Sequence, residues 1–236
     1  MIVALDVDRA RDACALARRL RGTVGMVKVG SRLFTAEGPA VVRQLARIGF
    51  GIFLDLKFHD IPSTVSGAVA AAVKLPGVRL VTLHTLGGAE VLDAAVKAAR
   101  GAKHPPELLG VTVLTSHDAK SLRRVGIAGT PSAAALRLAR IAKDSGCDGV
   151  VCSAYEVHAI RRALGPKFLI VVPGIRPANA KSNDQSRVST PSEAIRSGAD
   201  YLVIGRPITG AADPKKAAIQ INGEISAALA FVGARK

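Results

Sequence analysis

The residues best suited to chemistry lie in DLKFHDIP, residues 55–62, where an apolar run ends in two carboxylates and an ammonium. The run reads as a strand over Gly51–Lys57. Asp55 and Lys57 are two apart on it, so strand alternation predicts that both project to one face. Burying an ammonium is costly unless opposite charge surrounds it. Asp55 supplies that charge, with Asp60 also within reach. A lysine so surrounded is a poor Schiff-base nucleophile, which needs the neutral amine, and a well-placed acid.

Other strand ends carry groups of the same kind. Asp6 ends the first ("IVALD"), Lys28 lies near the end of the second ("MVKVG"), His84 ends the fourth, and Thr115 and Ser116 close the fifth. Any one of these could be a capping or solvated residue. As a set they gain meaning if the fold brings strand ends to one rim. A second group has another character. VVPGIRP presents Gly174 and Arg176 after the seventh strand, and YLVIGRPIT presents Gly205 and Arg206 after the eighth. Glycine N–H groups, a helix start and two arginines suit an anion such as phosphate. Between them a polar, turn-rich stretch from residue 177 to 188 reads as a binding loop or lid.

The elements that must position these residues alternate along the chain. Strands are expected at Ile2–Asp6, Met26–Gly30, Gly51–Lys57, Leu80–His84, Leu109–Thr115, Gly149–Ser153, Phe168–Val172 and Tyr201–Ile204. Most are continuous apolar runs, as in parallel strands buried on both faces. Amphipathic helices lie between them. Ala13, Leu16, Ala17 and Leu20 repeat at helical spacing before Gly22, and Val41, Val42, Leu45 and Ile48 do so before Gly49. Asp213 and Pro214 read as the cap and first residue of a final helix with Ile221, Ile225 and Leu229 on one face. Eight such units predict an α/β fold, a (β/α)₈ TIM barrel forming one domain over residues 1–236, with a doubly wound sheet as the alternative.

Composition agrees. Hydrophobic residues make up 49% of the 236 positions and aromatics 3%, so the core must be built from Ala, Val, Leu and Ile. The uncharged run Ile61–Val73 is too short for a membrane span of roughly 20 residues. Asp6 and Asp8 interrupt the start of the chain where a signal peptide needs its apolar stretch, so a cytoplasmic protein is expected. Cys14, Cys147 and Cys152 lack metal-type spacing and read as reduced, buried thiols. The formal charge of +15 raises the possibility of nucleic-acid binding. The basic residues, however, are scattered over helix faces with no aromatic platform for bases.

With these residues set out, the sequence resembles the orotidine 5′-phosphate decarboxylase family nearly end to end. DLKFHDIPSTV is similar to the family's Asp-x-Lys-x-x-Asp-Ile-Pro signature, and ALDV, VKVG, GVTVLTS, VVPGIRP, DQSRVSTP and ADYLVIGRPI follow in the expected order. The resemblance implies decarboxylation of orotidine 5′-monophosphate to UMP in pyrimidine biosynthesis, by a homodimer with shared sites. Neither metal nor organic cofactor is implied. Lys57 would protonate C6, Asp55 would face the substrate carboxylate, and Asp60 and Thr64 would reach into the partner's site. Lys28 would bridge Asp55 and the ribose, whose hydroxyls Asp6 would hold. Thr115 or Ser116 would contact the pyrimidine, Pro173 would line the base pocket, and Gln185 would touch base and phosphate. Arg176, Gly205 and Arg206 would hold the phosphate. Two rivals stand beside this reading. A magnesium-dependent sugar-phosphate decarboxylase of the same superfamily shares Asp-x-Lys-x-x-Asp but typically places small residues where Ile61-Pro62 stands. A non-catalytic nucleic-acid-binding protein would instead show salt-dependent binding to duplex DNA.

Overall fold

Each apolar run forms a strand because both of its faces find apolar partners. In the computed structural model, which describes residues 1–177 and 189–233, these strands are β1 (Ile2–Ala4), β2 (Met26–Gly30), β3 (Gly51–Phe58), β4 (Val78–His84), β5 (Glu107–Val111), β6 (Gly149–Val151), β7 (Leu169–Val172) and β8 (Tyr201–Ile204). All neighbours pair in parallel, and β8 returns to β1, so the sheet is a closed barrel. The fold is a (β/α)₈ barrel. A doubly wound sheet would have left β1 and β8 as edges.

Ile2, Ala4, Phe53, Leu80, Leu109, Val171 and Val203 fill the barrel interior. The alternate residues, among them Val3, Val27, Ile52, Val81 and Ile170, pack outward against the helices. Those helices turn matching stripes inward. Ala13, Cys14, Ala17 and Leu20 are buried on Ala10–Leu20, and Val41, Val42 and Leu45 on Pro39–Ile48. Each fully buried leucine contributes about 2 kcal/mol. Gly49 closes the second of these helices at φ 105°, a left-handed cap that side chains disfavour. Among the described residues no helix is long and apolar enough to cross a membrane.

Several boundaries differ from the sequence reading. β5 was expected at Leu109–Thr115 but spans Glu107–Val111. The Asp148 carboxylate accepts the Leu108 N–H at 2.7 Å and starts the strand early. Its partner β6 stops at Val151, so pairing ends with Thr112 N–H donating to Val151 O at 3.1 Å. The chain then turns, and Asp118 caps the next helix by accepting the Ser121 N–H at 2.7 Å. Thr115 and Ser116 therefore lie in a turn beyond the strand, and Asp6 likewise lies beyond β1. In the final helix, Pro214–Gly233, the buried residues are Pro214, Ala218, Ile221 and Ala228, while Leu229 is 54% exposed. Successive i+4 steps drift about 40° around a helix, so Leu229 rotates out of the face that Ile221 begins.

Candidate active site

The charged groups meet at the C-terminal rim of the barrel. Lys28 Nζ lies 3.0 Å from Asp6 Oδ1 and 3.6 Å from Asp55 Oδ2, and Lys57 Nζ lies 2.8 Å from Asp55 Oδ1. The result is an alternating row, Asp6–Lys28–Asp55–Lys57, in which each inner charge touches two of opposite sign. The Lys28 and Asp55 side chains are each only 12% exposed. Charges this buried are tolerated because each has oppositely charged partners, since an unpaired buried charge costs several kcal/mol.

Strand alternation predicted that Asp55 and Lys57 share a face, but the backbone achieves this differently. The register between β3 and β4 steps from Leu54↔Val81 to Phe58↔Leu83, so Asp55, Leu56 and Lys57 bulge opposite one residue, Thr82. Lys57 has φ 50°, the left-handed region, alone among the described non-glycine residues. Such a conformation persists only where surroundings hold it, and it tends to mark functional positions. Lys28 has a requirement of its own. A Cβ on Gly30 would lie 2.9 Å from Lys28 Nζ, so the absent side chain leaves the ammonium its place between the carboxylates.

The row borders a cavity of ≈ 340 Å³, in the range that small ligands occupy. Asp6, Lys28, Asp55 and Lys57 form one wall; Thr115, Ser116 and Pro173 line it elsewhere, and Arg176, Gly205 and Arg206 complete it. The apolar floor comes from Ala4, Phe53, Val111, Val151 and Val203. Arg176 is buried and anchored through its backbone, whose N–H donates to Ser189 O at 3.0 Å. Ile175 and Ser189 form a parallel bridge beside it. Gln185 and all of the predicted lid over 177–188 except Pro177 lie outside the described residues.

Two predicted residues stand apart from this cavity. Asp60 is exposed, and its carboxylate accepts the Ile61 N–H at 2.7 Å instead of meeting Lys57 of its own chain. Pro62 begins the next helix and forces the preceding backbone into an extended path, which carries Asp60 away. Thr64 is likewise exposed, on that helix. Two residues to which the sequence reading gave no site role also adjoin this cavity. Cys152 lines it, and Thr82 lies beneath it, bonded to Asp55. The visible signal for Thr82 was a hydroxyl in RLVTLH, two residues after an inward-facing leucine. All three cysteines are buried thiols outside any disulfide, and burial pushes the Cys147 thiol up to about 12.

His84 ends β4, stacked on His59 with ring centroids 5.2 Å apart, and its Nδ1 accepts the Leu86 N–H at 3.3 Å. Burial first, then the positive surroundings of His59, Lys57 and His117, push its pKa down to about 4. This rim group is therefore neutral at pH 7. The unfolded chain binds a proton at His84 near pH 6.5 and the folded chain does not. The associated stability is thus present above that pH and lost as pH falls toward 4. Allowing for the partial exposure of the ring, the loss is about 1–2 kcal/mol. Denaturant midpoints of the wild-type chain should therefore fall more between pH 7 and pH 5 than those of His84→Asn. Equal falls would refute the assignment.

The description "Orotidine 5′-phosphate decarboxylase / HUMPS family" matches residues 1–221, which include all eight strands. A curated relative from Nitrosococcus oceani, named orotidine 5′-phosphate decarboxylase, is 51% identical over 228 residues, 96% of this chain and 97% of its own. This chain belongs to the orotidine 5′-phosphate decarboxylase / HUMPS family. A relative of the same name from Anaeromyxobacter sp. (strain K) is 54% identical over 91% of this chain and 93% of its own. Among solved structures, the orotidine 5′-phosphate decarboxylase of Lactobacillus acidophilus superposes with a TM-score of 0.85. It is 40% identical and covers 95% of this chain and 98% of that one. Asp55, Leu56 and Lys57 lie in the β3 bulge, Asp60 and Ile61 in the turn that follows, and Pro62 opens the next helix.

Proposed function

We propose that this chain is a cytoplasmic, homodimeric orotidine 5′-monophosphate decarboxylase of pyrimidine biosynthesis, working without metal or organic cofactor. The observation that carries this reading is the Asp6–Lys28–Asp55–Lys57 row on a cavity whose other side offers Arg176, Gly205 and Arg206. The names of relatives about half identical over nearly the whole chain point the same way. Phosphate binds at the two arginines, the ribose at Asp6 and Lys28, and the pyrimidine between Pro173 and the Thr115–Ser116 turn. Bound so, the substrate carboxylate is directed at Asp55.

The chemistry follows from charge. The C6–carboxylate bond breaks, and its electron pair stays on C6 as carbon dioxide leaves. The repulsion between the substrate carboxylate and Asp55 is relieved at that moment, while the attraction between Lys57 and the growing charge on C6 increases. Interactions that strengthen along the reaction are those that accelerate it. Lys57 then gives one N–H proton to C6, and its amine regains a proton from solvent. UMP and carbon dioxide are the products.

Assembly into a dimer fits the rim. Ile61, Leu86 and Leu114 follow three adjacent strands and are 64%, 47% and 36% exposed. An apolar edge beside an outward-facing Asp60 suits a second copy bringing its own Asp60 and Thr64 the other way.

The direct test follows the loss of orotate-ring absorbance when purified protein meets orotidine 5′-monophosphate. Turnover undiminished by exhaustive chelation is expected. Activity that disappears on chelation and returns with magnesium would move the chain to the sugar-phosphate reading.

A further inference from the structure

Thr82 is fully buried on β4, two residues beyond Leu80, whose side chain fills the barrel interior. A hydroxyl placed there must find partners, since an unsatisfied one is costly. Both partners lie in the β3 bulge. Thr82 Oγ1 accepts the Lys57 N–H at 2.9 Å and donates to Asp55 Oδ1 at 3.1 Å. The same carboxylate oxygen receives Lys57 Nζ at 2.8 Å. A single hydroxyl thus ties together the backbone of Lys57, its side-chain partner and the neighbouring strand.

The need for this tie is visible in the ladder. Between Leu54 and Phe58 the register to β4 shifts, and Lys57 takes up its left-handed backbone. A regular parallel strand would offer a main-chain carbonyl to the Lys57 N–H. In the bulge the threonine oxygen takes that part. Thr82 is absent from the cavity lining, and its hydroxyl meets Asp55 and the Lys57 backbone instead.

We infer that Thr82 is a positioning residue, whose hydroxyl holds the bulged Lys57 backbone and the Asp55 carboxylate so that the Lys57 ammonium points at the reacting carbon. The inference rests on the reading of Lys57 as proton donor. It adds that the aim of this donor is set from beneath, by β4. Valine at this position keeps the branched shape and removes the hydroxyl, while serine keeps the hydroxyl and removes a methyl.

The experiment measures kcat and KM for orotidine 5′-monophosphate in Thr82→Val and Thr82→Ser. In Thr82→Val, kcat should fall about 10- to 100-fold, the size of effect a small misplacement of a reacting group produces, with KM changed by less than about threefold. Thr82→Ser should keep kcat within about threefold of wild type, because the hydroxyl remains. The inference is overturned by a valine variant of near-normal kcat, or by a loss that appears in KM instead. It is equally overturned if serine loses as much as valine, which would assign the effect to packing. A valine chain that does not fold beside a serine chain that does also overturns it, since the hydroxyl would then serve the fold. An inactive wild-type chain would instead remove the proposed function, so the two failures are distinguishable.

Discussion

Lys57→Ala is expected to give a folded barrel that no longer decarboxylates orotidine 5′-monophosphate. The fold should survive because Lys57 lies on the rim, with its side chain 35% exposed, and fills no part of the core. Its partner is not orphaned either. Asp55 keeps Lys28 at 3.6 Å and the Thr82 hydroxyl at 3.1 Å. Catalysis loses two things together. Proton transfer by a positioned acid is worth about 10²- to 10⁴-fold. A fixed charge facing the developing anion is worth about 10²- to 10³-fold more. Among the described residues the cavity wall holds no other acid beside Asp55 to take over, since Lys28 is held on its far side by Asp6 and Asp55. A drop in kcat of at least about 10⁴-fold is therefore expected, with an unchanged circular dichroism spectrum. Turnover near that of wild type in the purified variant would end the assignment of Lys57 as proton donor.

Mixing two inactive variants should restore activity. Asp60 faces away from its own cavity, exposed and bonded to the next backbone N–H, while Ile61 beside it is 64% exposed. If two copies meet through this rim, each Asp60 enters the other's site. Asp60→Ala and Lys57→Ala chains are then each inactive alone. A hybrid dimer contains one site lacking both groups and one with Lys57 and a partner-supplied Asp60 intact. After free exchange of equal amounts about half the dimers are hybrids, so activity should rise to about a quarter of the wild-type value per site. The measurement is activity against time of mixing, with exchange followed separately by differently tagged chains. Verified exchange with no return of activity would show that Asp60 acts within its own chain.

Much of this arrangement could be read from the chain alone, because its causes are local. Runs such as LIVV and YLVI are apolar on both faces, which forces strands covered on both sides, and the helical stripes between them supply the cover. Eight repeats of that alternation leave few ways to bury every face, and a closed barrel is one. A barrel in turn gathers strand ends on one rim, so Asp6, Lys28, Asp55 and Lys57 could be grouped before any distance was known. The anion-suited pair after β7 and β8 was legible for the same reason. Capping was legible too, since Asp213 does accept the N–H groups of Lys215 and Lys216 at 3.0 and 3.2 Å.

What the tertiary structure alone decided depends on register between strands, which no single stretch encodes. Asp55 and Lys57 meet through a bulge and a left-handed lysine, not through the plain alternation that their spacing suggested. That bulge exists against β4, and in the sequence Thr82 looks like any threonine suited to a strand. Thr115 and Ser116 reach the cavity from a turn because both neighbours of β5 end level with Val111, β4 at His84 and β6 at Val151. Asp60 resembles its neighbours in the motif yet points elsewhere, because the turn at Ile61-Pro62 redirects the chain after the strand has ended. Residue types and their spacing specify which groups gather at the rim. The direction in which each one points is set by contacts between segments far apart in the chain, and only the folded barrel creates those contacts.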